Sequence, residues 1–203
     1  MTGVQTCALP ISSLQALIDA KKPPQTAIGL FVDKEEIGSV GNTGAASLIV
    51  ENFMYEYAQL TGQKELISTI FERSMAISAD VTAGINPTYK DVNDVQNGAV
   101  IGSGIAIEKY TGAGGKYSAN DAHAEYVSFL RQLMKKGNIP HQFGEIGKVD
   151  EGGGGTIALF MSRYGLDIID AGPAVLGMHS PFEVLSKADF YSAYLLYKAF
   201  FEH

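Results

Sequence analysis

The hydrophobic pattern becomes readable at Ser12. In SSLQALIDAKK (12–22), Leu14, Leu17 and Ile18 recur at helical spacing, and Pro23-Pro24 stop the helix. TAIGLFV (26–32) is an unbroken apolar run of strand length, the pattern of a parallel strand buried on both faces. From Ala45 to Leu60, the residues Leu48, Phe53, Met54, Tyr57 and Leu60 form a helical stripe. Strands are predicted at SMAISAD (74–80), GIAIEKY (104–110), HQFGEI (141–146) and LDIIDAG (166–172). Three more helices are predicted. One covers 120–136, with Ala122, Tyr126, Phe129, Leu130 and Leu133 inward. One covers 155–165 and closes on Gly165, and the last covers 187–201. There are no repeats and no low-complexity linker. The predicted class is therefore α/β: a mixed, mostly parallel sheet flanked by helices. In such sheets chemistry collects just beyond the carboxyl ends of the strands.

Bulk composition narrows the partners. The 203 residues fit one domain and suffice for a sizeable core. Hydrophobic residues make up 46% and charged residues 18%, which is globular. The net charge of −7 argues against a nucleic acid or an anionic membrane as partner. No apolar run reaches the roughly 18 residues that a membrane span needs. Cys7 is the only cysteine, so no intrachain disulfide can form, and the expected compartment is a reducing cytoplasm. MTGVQTCALPI (1–11) has neither a basic nor an apolar leader region, so it is not a signal peptide. It resembles read-through of a sequencing adapter. The helical pattern also starts abruptly at Ser12, so the natural protein is expected to begin upstream.

The strand ends carry the candidate chemistry. Strand 26–32 runs into Glu35-Glu36, strand 74–80 ends at Asp80, and strand 166–172 leads through PAVLG to Met178-His179-Ser180. One sheet edge would gather Glu35, Glu36, Asp80 and His179. Carboxylates with a histidine and no thiolate suit a catalytic Zn²⁺ or Mn²⁺ site more than a structural zinc site. Such a metal lowers the pKa of its water, and a nearby free carboxylate can take the proton. Each residue has a plainer reading. A Glu-Glu pair is more often a solvated loop, Asp80 fits a turn or cap, and His179 fits a structural histidine. His123, His141 and His203 receive no role.

Two glycine stretches invite comparison. VDEGGGGTIALF (149–160) puts Gly152, Gly153, Gly154 and Gly155 before a helix, where free backbone N–H groups face an anion or the chain approaches a substrate closely. TGAGGKYS (111–118) fails as a phosphate loop because Tyr110 stands where the first glycine belongs and Tyr117 where Ser or Thr belongs. It reads as a turn. No G-x-S-x-G elbow is present.

DKEEIGS, ISAD, DEGGGGTIA and GMHSPFE, in this order and spacing, resemble the aspartyl/lysyl aminopeptidase family of dinuclear zinc exopeptidases, in particular its bacterial branch. The resemblance runs from about Ser12 to the C-terminus. It implies that Glu35 is the general base acting on water between two metals. It implies that Glu36 and His179 bind one metal and Asp80 the other. It further implies release of N-terminal amino acids from peptides, with Zn as the metal pair and Mn or Co as alternatives. The family's bridging aspartate, a second histidine and an inserted dimerisation domain would lie upstream. This chain is thus expected to be the C-terminal part of a catalytic domain, inactive alone. Its assembly into the family's large homo-oligomers would be impaired. Aspartyl-specific members carry a histidine where Asn86 stands, and a lysine near the position of Glu108. An acid there implies a neutral or basic substrate preference. The alternative function is a non-catalytic, fold-retaining assembly chain.

Overall fold

The computed structural model describes residues 3–114 and 117–203, with side chains from residue 7 onward. Gly115 and Lys116 of the expected turn, and Met1 and Thr2, lie outside the described residues. The remaining residues of that stretch form a hairpin: β4 (Tyr110–Ala113) pairs antiparallel with β5 (Tyr117–Asp121).

The main sheet is built from β1 (Met75–Ser78), β3 (Ile105–Glu108), β6 (His141–Phe143) and β7 (Asp167–Gly172), in the order β1-β7-β3-β6. The β1–β7 and β3–β6 pairs are parallel, and β3–β7 is antiparallel. A small second sheet joins β2 (Thr82–Ala83), β8 (Ala174–Leu176) and β9 (Val184–Leu185). Helices cover both faces of the main sheet, as apolar strands such as Ile105–Ile107 demand.

On one face pack α1 (Gly3–Asp19), α4 (Ala124–Lys136) and α6 (Lys187–Phe201), around Ile105, Ile107, Leu130, Met134, Ile169 and Leu196. On the other face lie α2 (Ile49–Thr61), α3 (Ile67–Glu72) and α5 (Ala158–Ser162), around Met54, Phe71, Met161 and Ile168. Two tyrosines bury their rings while satisfying their hydroxyls: Tyr126 donates to the Ala76 carbonyl at 2.7 Å and Tyr197 to the Ala171 carbonyl at 2.6 Å. The start of α6 is set by Ser186, whose hydroxyl accepts from the N–H groups of Ala188 and Asp189. Among the described residues, no helix is long and apolar enough to cross a membrane.

Several expectations shift. Residues 26–32 are extended but pair with no strand among the described residues, and Ile28, Leu30 and Phe31 stand 40%, 39% and 52% exposed. A strand needs at least one neighbour to complete its ladder, and none among the described residues supplies it. The α2 stripe is also rotated from the sequence reading: Val50, Met54 and Ala58 are buried, whereas Leu48, Phe53 and Leu60 face outward. Only Met54 is common to both faces. The helix predicted at 155–165 shrinks to five residues, because Gly152–Gly155 delay its start. The helix predicted at 120–136 begins at Ala124, since Asn120 and Asp121 belong to β5. Helix α1 runs through the expected boundary at Ser12 without a break and buries Ala8, Leu9, Ser12 and Ala16.

Candidate active site

The chain after the unpaired 26–32 segment makes a tight 3-10 turn over Glu35–Ile37. Left-handed residues bracket it: Lys34 at φ 63° and Gly38 at φ 93°, with the Gly38 N–H donating to the Glu35 carbonyl at 2.9 Å. This turn leaves Glu35 partly buried and Glu36 exposed. Asp80 follows β1 by two residues, and its Oδ1 accepts from the Val81 N–H at 2.8 Å. His179 sits in the loop that joins β8 to β9, with its Nδ1 3.8 Å from Glu36 Oε1.

His179 and Glu36 are the one pair of the four in measured proximity, and Glu35 and Asp80 lie near enough for their charges to bear on one another. Burial pushes the Glu35 carboxyl up, the neighbouring Glu36 charge pushes it further, and His179 opposes them. Burial raises Asp80 well above the usual carboxylate range, and the charges of Asp170 and Glu35 add to the rise.

Asp170 is the residue the sequence reading missed. It lies in β7, paired in register with Ser78 on one side and Glu108 on the other. Burial lifts its pKa to about 6, while the hydroxyls of Ser78, Thr156 and Thr111 hold the rise in check. Of these three, only Thr111 makes a measured hydrogen bond, at 3.4 Å to Oδ2. Asp170 Oδ1 and Ser78 Oγ are buried without a hydrogen-bond partner among the described residues. A charged residue inside the otherwise apolar run LDIIDAG was the available signal.

Glu108 is 3% exposed, and its carboxylate accepts from the Thr82 hydroxyl. Burial drives its pKa well up, the Thr82 bond opposes this, and Asp170 and Asp80 reinforce it. Glu108 thus faces the acidic interior beside the site, not solvent.

The other expected substrate contacts are less close-knit. Asn86 Oδ1 accepts from the Thr88 N–H at 2.9 Å, an Asx turn of its own. In the glycine stretch the close approach is largely internal. A Cβ on Gly152 would lie 3.3 Å from the Gly147 Cα, and one on Gly155 would lie 3.0 Å from the Ser118 carbonyl oxygen. Gly153 has φ 101°, and a Cβ on Gly154 would face open space. Five-residue α5 is too short to offer the anion site that the sequence suggested.

Among the described residues, no three His, Cys, Asp or Glu side chains converge closely enough to hold a divalent metal. The chemistry nevertheless fits. Neighbouring carboxylates add to the rise of Glu35, Asp80 and Glu108. The orphaned, buried Asp170 oxygen adds to this acidic field. Such a field is relieved by a cation bound through oxygen and imidazole ligands.

Known proteins match this chain in sequence and fold. The sequence profile of the aminopeptidase I zinc metalloprotease family (M18) matches residues 6–201. A probable M18 family aminopeptidase 1 from Borrelia garinii subsp. bavariensis is 51% identical over 201 residues, covering 94% of this chain and 43% of the relative. The crystal structure of an M18 aminopeptidase from Thermotoga maritima superposes with a TM-score of 0.92 at 45% identity, over 96% of this chain and 44% of that one. The mApe1 dodecamer of S. cerevisiae shares the fold, with a TM-score of 0.72 at 23% identity, over 97% of this chain and 43% of that one. The chain thus spans less than half the length of these proteins. It belongs to the M18 family of zinc-dependent aminopeptidases.

Proposed function

We propose that this chain carries the C-terminal part of a metallo-aminopeptidase site that releases N-terminal amino acids from peptides, and that it is inactive alone. The observation that supports the reading is the approach of His179 to Glu36 at 3.8 Å, beside a Glu35 and an Asp80 whose carboxyls are raised by burial and by neighbouring carboxylates. Glu36 and His179 would hold one divalent ion and Asp80 a second, most readily Zn, with Mn or Co as substitutes. When bound, the ions polarise the scissile carbonyl and lower the pKa of water. Glu35 takes the proton of the attacking water on its carboxylate. Its raised pKa, caused first by burial, suits a base that must later return the proton to the leaving amine.

The missing aspartate and second histidine of the family pattern would come from the length that the relatives have and this chain lacks. The adapter-like residues 1–11 stand where that aspartate is expected. The exposed run Ile28–Phe31 is where strands from that length would pair and hold the Glu35 turn in place. Peptides are the proposed partners, with no role for nucleic acid or membrane, and the cytoplasm is the proposed compartment. Homo-oligomers like the mApe1 dodecamer are expected of the longer protein and impaired here.

Substrate preference follows from Glu108. Its carboxyl, buried and held protonated to higher pH, offers no positive partner to an N-terminal Asp or Glu side chain, as a lysine would. A full-length relative that prefers Asp, with the preference unaltered by a lysine at the position of Glu108, would contradict this. Gly153 and Gly154 remain candidate substrate-facing backbone, since Gly152 and Gly155 are used internally, and Asn86 is the more distant candidate.

The test is direct. The purified chain with Zn²⁺, Mn²⁺ or Co²⁺ should not turn over amino-acid naphthylamides, and clear turnover sinks the incompleteness. Two metals per chain copurifying with the longer native protein favour the enzyme. Their absence favours a non-catalytic assembly chain.

A further inference from the structure

The loop Gly177–Glu183 joins β8 to β9 and carries His179. Its backbone is unusual. Gly177 has φ 68° and His179 has φ 64°, both left-handed. Glycine takes this conformation freely, but a histidine does not, so something must hold it. Two contacts brace the far side of the turn. The Ser180 N–H donates to the Gly177 carbonyl at 2.9 Å. The Ser180 hydroxyl donates to the Phe182 carbonyl at 2.5 Å and accepts from the Phe182 N–H at 3.2 Å. The first closes a four-residue turn with His179 at its third position but uses none of the atoms of His179, and the Ser180–Phe182 bonds lie beyond it.

The bond that does reach it comes from Glu183. The His179 N–H donates to Glu183 Oε1 at 2.9 Å. Glu183 is buried, although its neighbours Phe182 and Val184 are both exposed. A carboxylate folded inward from an exposed loop must be compensated by donors, and a backbone N–H to a charged oxygen is among the stronger hydrogen bonds.

We infer that Glu183 is a positioning residue for His179. By accepting the His179 N–H it fixes the left-handed backbone, and so sets the imidazole 3.8 Å from Glu36. The functional weight of this rests on the reading of His179 and Glu36 as ligands. The geometric part stands on the loop alone. Side-chain groups that orient a metal-binding histidine typically affect affinity about as strongly as a weak ligand does.

Three variants separate the contributions. Glu183→Ala removes the acceptor. Glu183→Gln keeps an oxygen at the same reach without the charge. Glu183→Asp keeps the charge one methylene short. In isotopically labelled protein, hydrogen exchange of the His179 amide should be roughly tenfold faster or more in Glu183→Ala, and stay near wild type in Glu183→Gln. Zn²⁺ titrations followed at the His179 ring protons should weaken by roughly 10–100-fold in Glu183→Ala and far less in Glu183→Gln. If the alanine variant does not fold, Glu183→Asp takes its place with the same acceleration expected. Unchanged exchange in the alanine or aspartate variant overturns the inference, and so does a loss in Glu183→Gln equal to that in Glu183→Ala. A wild-type His179 ring that ignores Zn²⁺ contradicts the ligand reading instead, and the exchange comparison still decides the role of Glu183.

Discussion

Replacing Asp170 with asparagine should flatten the pH dependence of stability in the metal-free chain. Asp170 is buried in β7, and burial lifts its pKa from 3.8 to about 6. The native state therefore keeps a proton on this group where the unfolded chain has lost it. The stability this contributes is fully present below the unfolded pKa and is lost as pH rises through about 6. A rise of about two units corresponds to about 3 kcal/mol, since each unit is worth about 1.4 kcal/mol. Asparagine has the same shape and no proton to lose. Urea unfolding in chelator at pH 4 and pH 7.5 measures the difference directly. Relative to wild type, Asp170→Asn should gain about 2.5 kcal/mol between the two pH values, because at pH 4 the unfolded carboxyl is already more than half ionised. Asp80 and Glu108 are also raised by burial, so wild type should keep losing stability at higher pH, and the variant should retain that part. An equal difference between variant and wild type at both pH values would refute the claim that burial destabilises the ionised Asp170 carboxylate.

Three further outcomes follow from local geometry. A Cβ on Gly172 would sit 1.8 Å from the Asp80 carbonyl oxygen, so Gly172→Ala should destabilise by about 3 kcal/mol or more in urea melts and displace Asp80. Ser186→Ala removes the hydroxyl that caps α6 and should cost about 1 kcal/mol, with the far-ultraviolet spectrum otherwise preserved. Phe31→Lys should leave the stability of this chain within about 0.5 kcal/mol, because the ring is half-exposed, yet reduce self-association measured by light scattering.

Much of the fold was legible because strands such as IAIE and DIID pair an apolar run with clear turn signals, and every main-sheet strand of the structure falls within a predicted segment. The failures have physical causes. TAIGLFV reads as a buried strand because its composition is that of one, but pairing depends on neighbours that a local pattern does not contain. The α2 stripe was misjudged because Leu48, Phe53 and Leu60 are apolar yet outward, and periodicity alone does not say which of two apolar faces is covered. At the site, Glu35, Glu36, Asp80 and His179 stood at segment ends, where polar residues draw notice. Asp170 and Glu183 escaped because their importance lies in burial and partners. Asp170 is a carboxylate between two neighbouring strands, and Glu183 accepts from a backbone N–H four residues away. Four glycines in a row suggested a ligand, but much of their need is explained by the chain passing close to itself at Gly147 and Ser118.

The central claim is that this chain supplies a working base and three metal ligands to an aminopeptidase site that other segments complete. The most direct measurement is a chimera in which residues 12–203 replace the matching segment of the Thermotoga maritima M18 aminopeptidase. Its hydrolysis of amino-acid naphthylamides is then compared with that of the same chimera carrying Glu35→Gln. The account predicts metal-dependent turnover in the first and a fall of roughly a hundredfold or more in the second, with metal content unchanged. A folded, metal-loaded chimera without turnover, or one that Glu35→Gln leaves active, would contradict it.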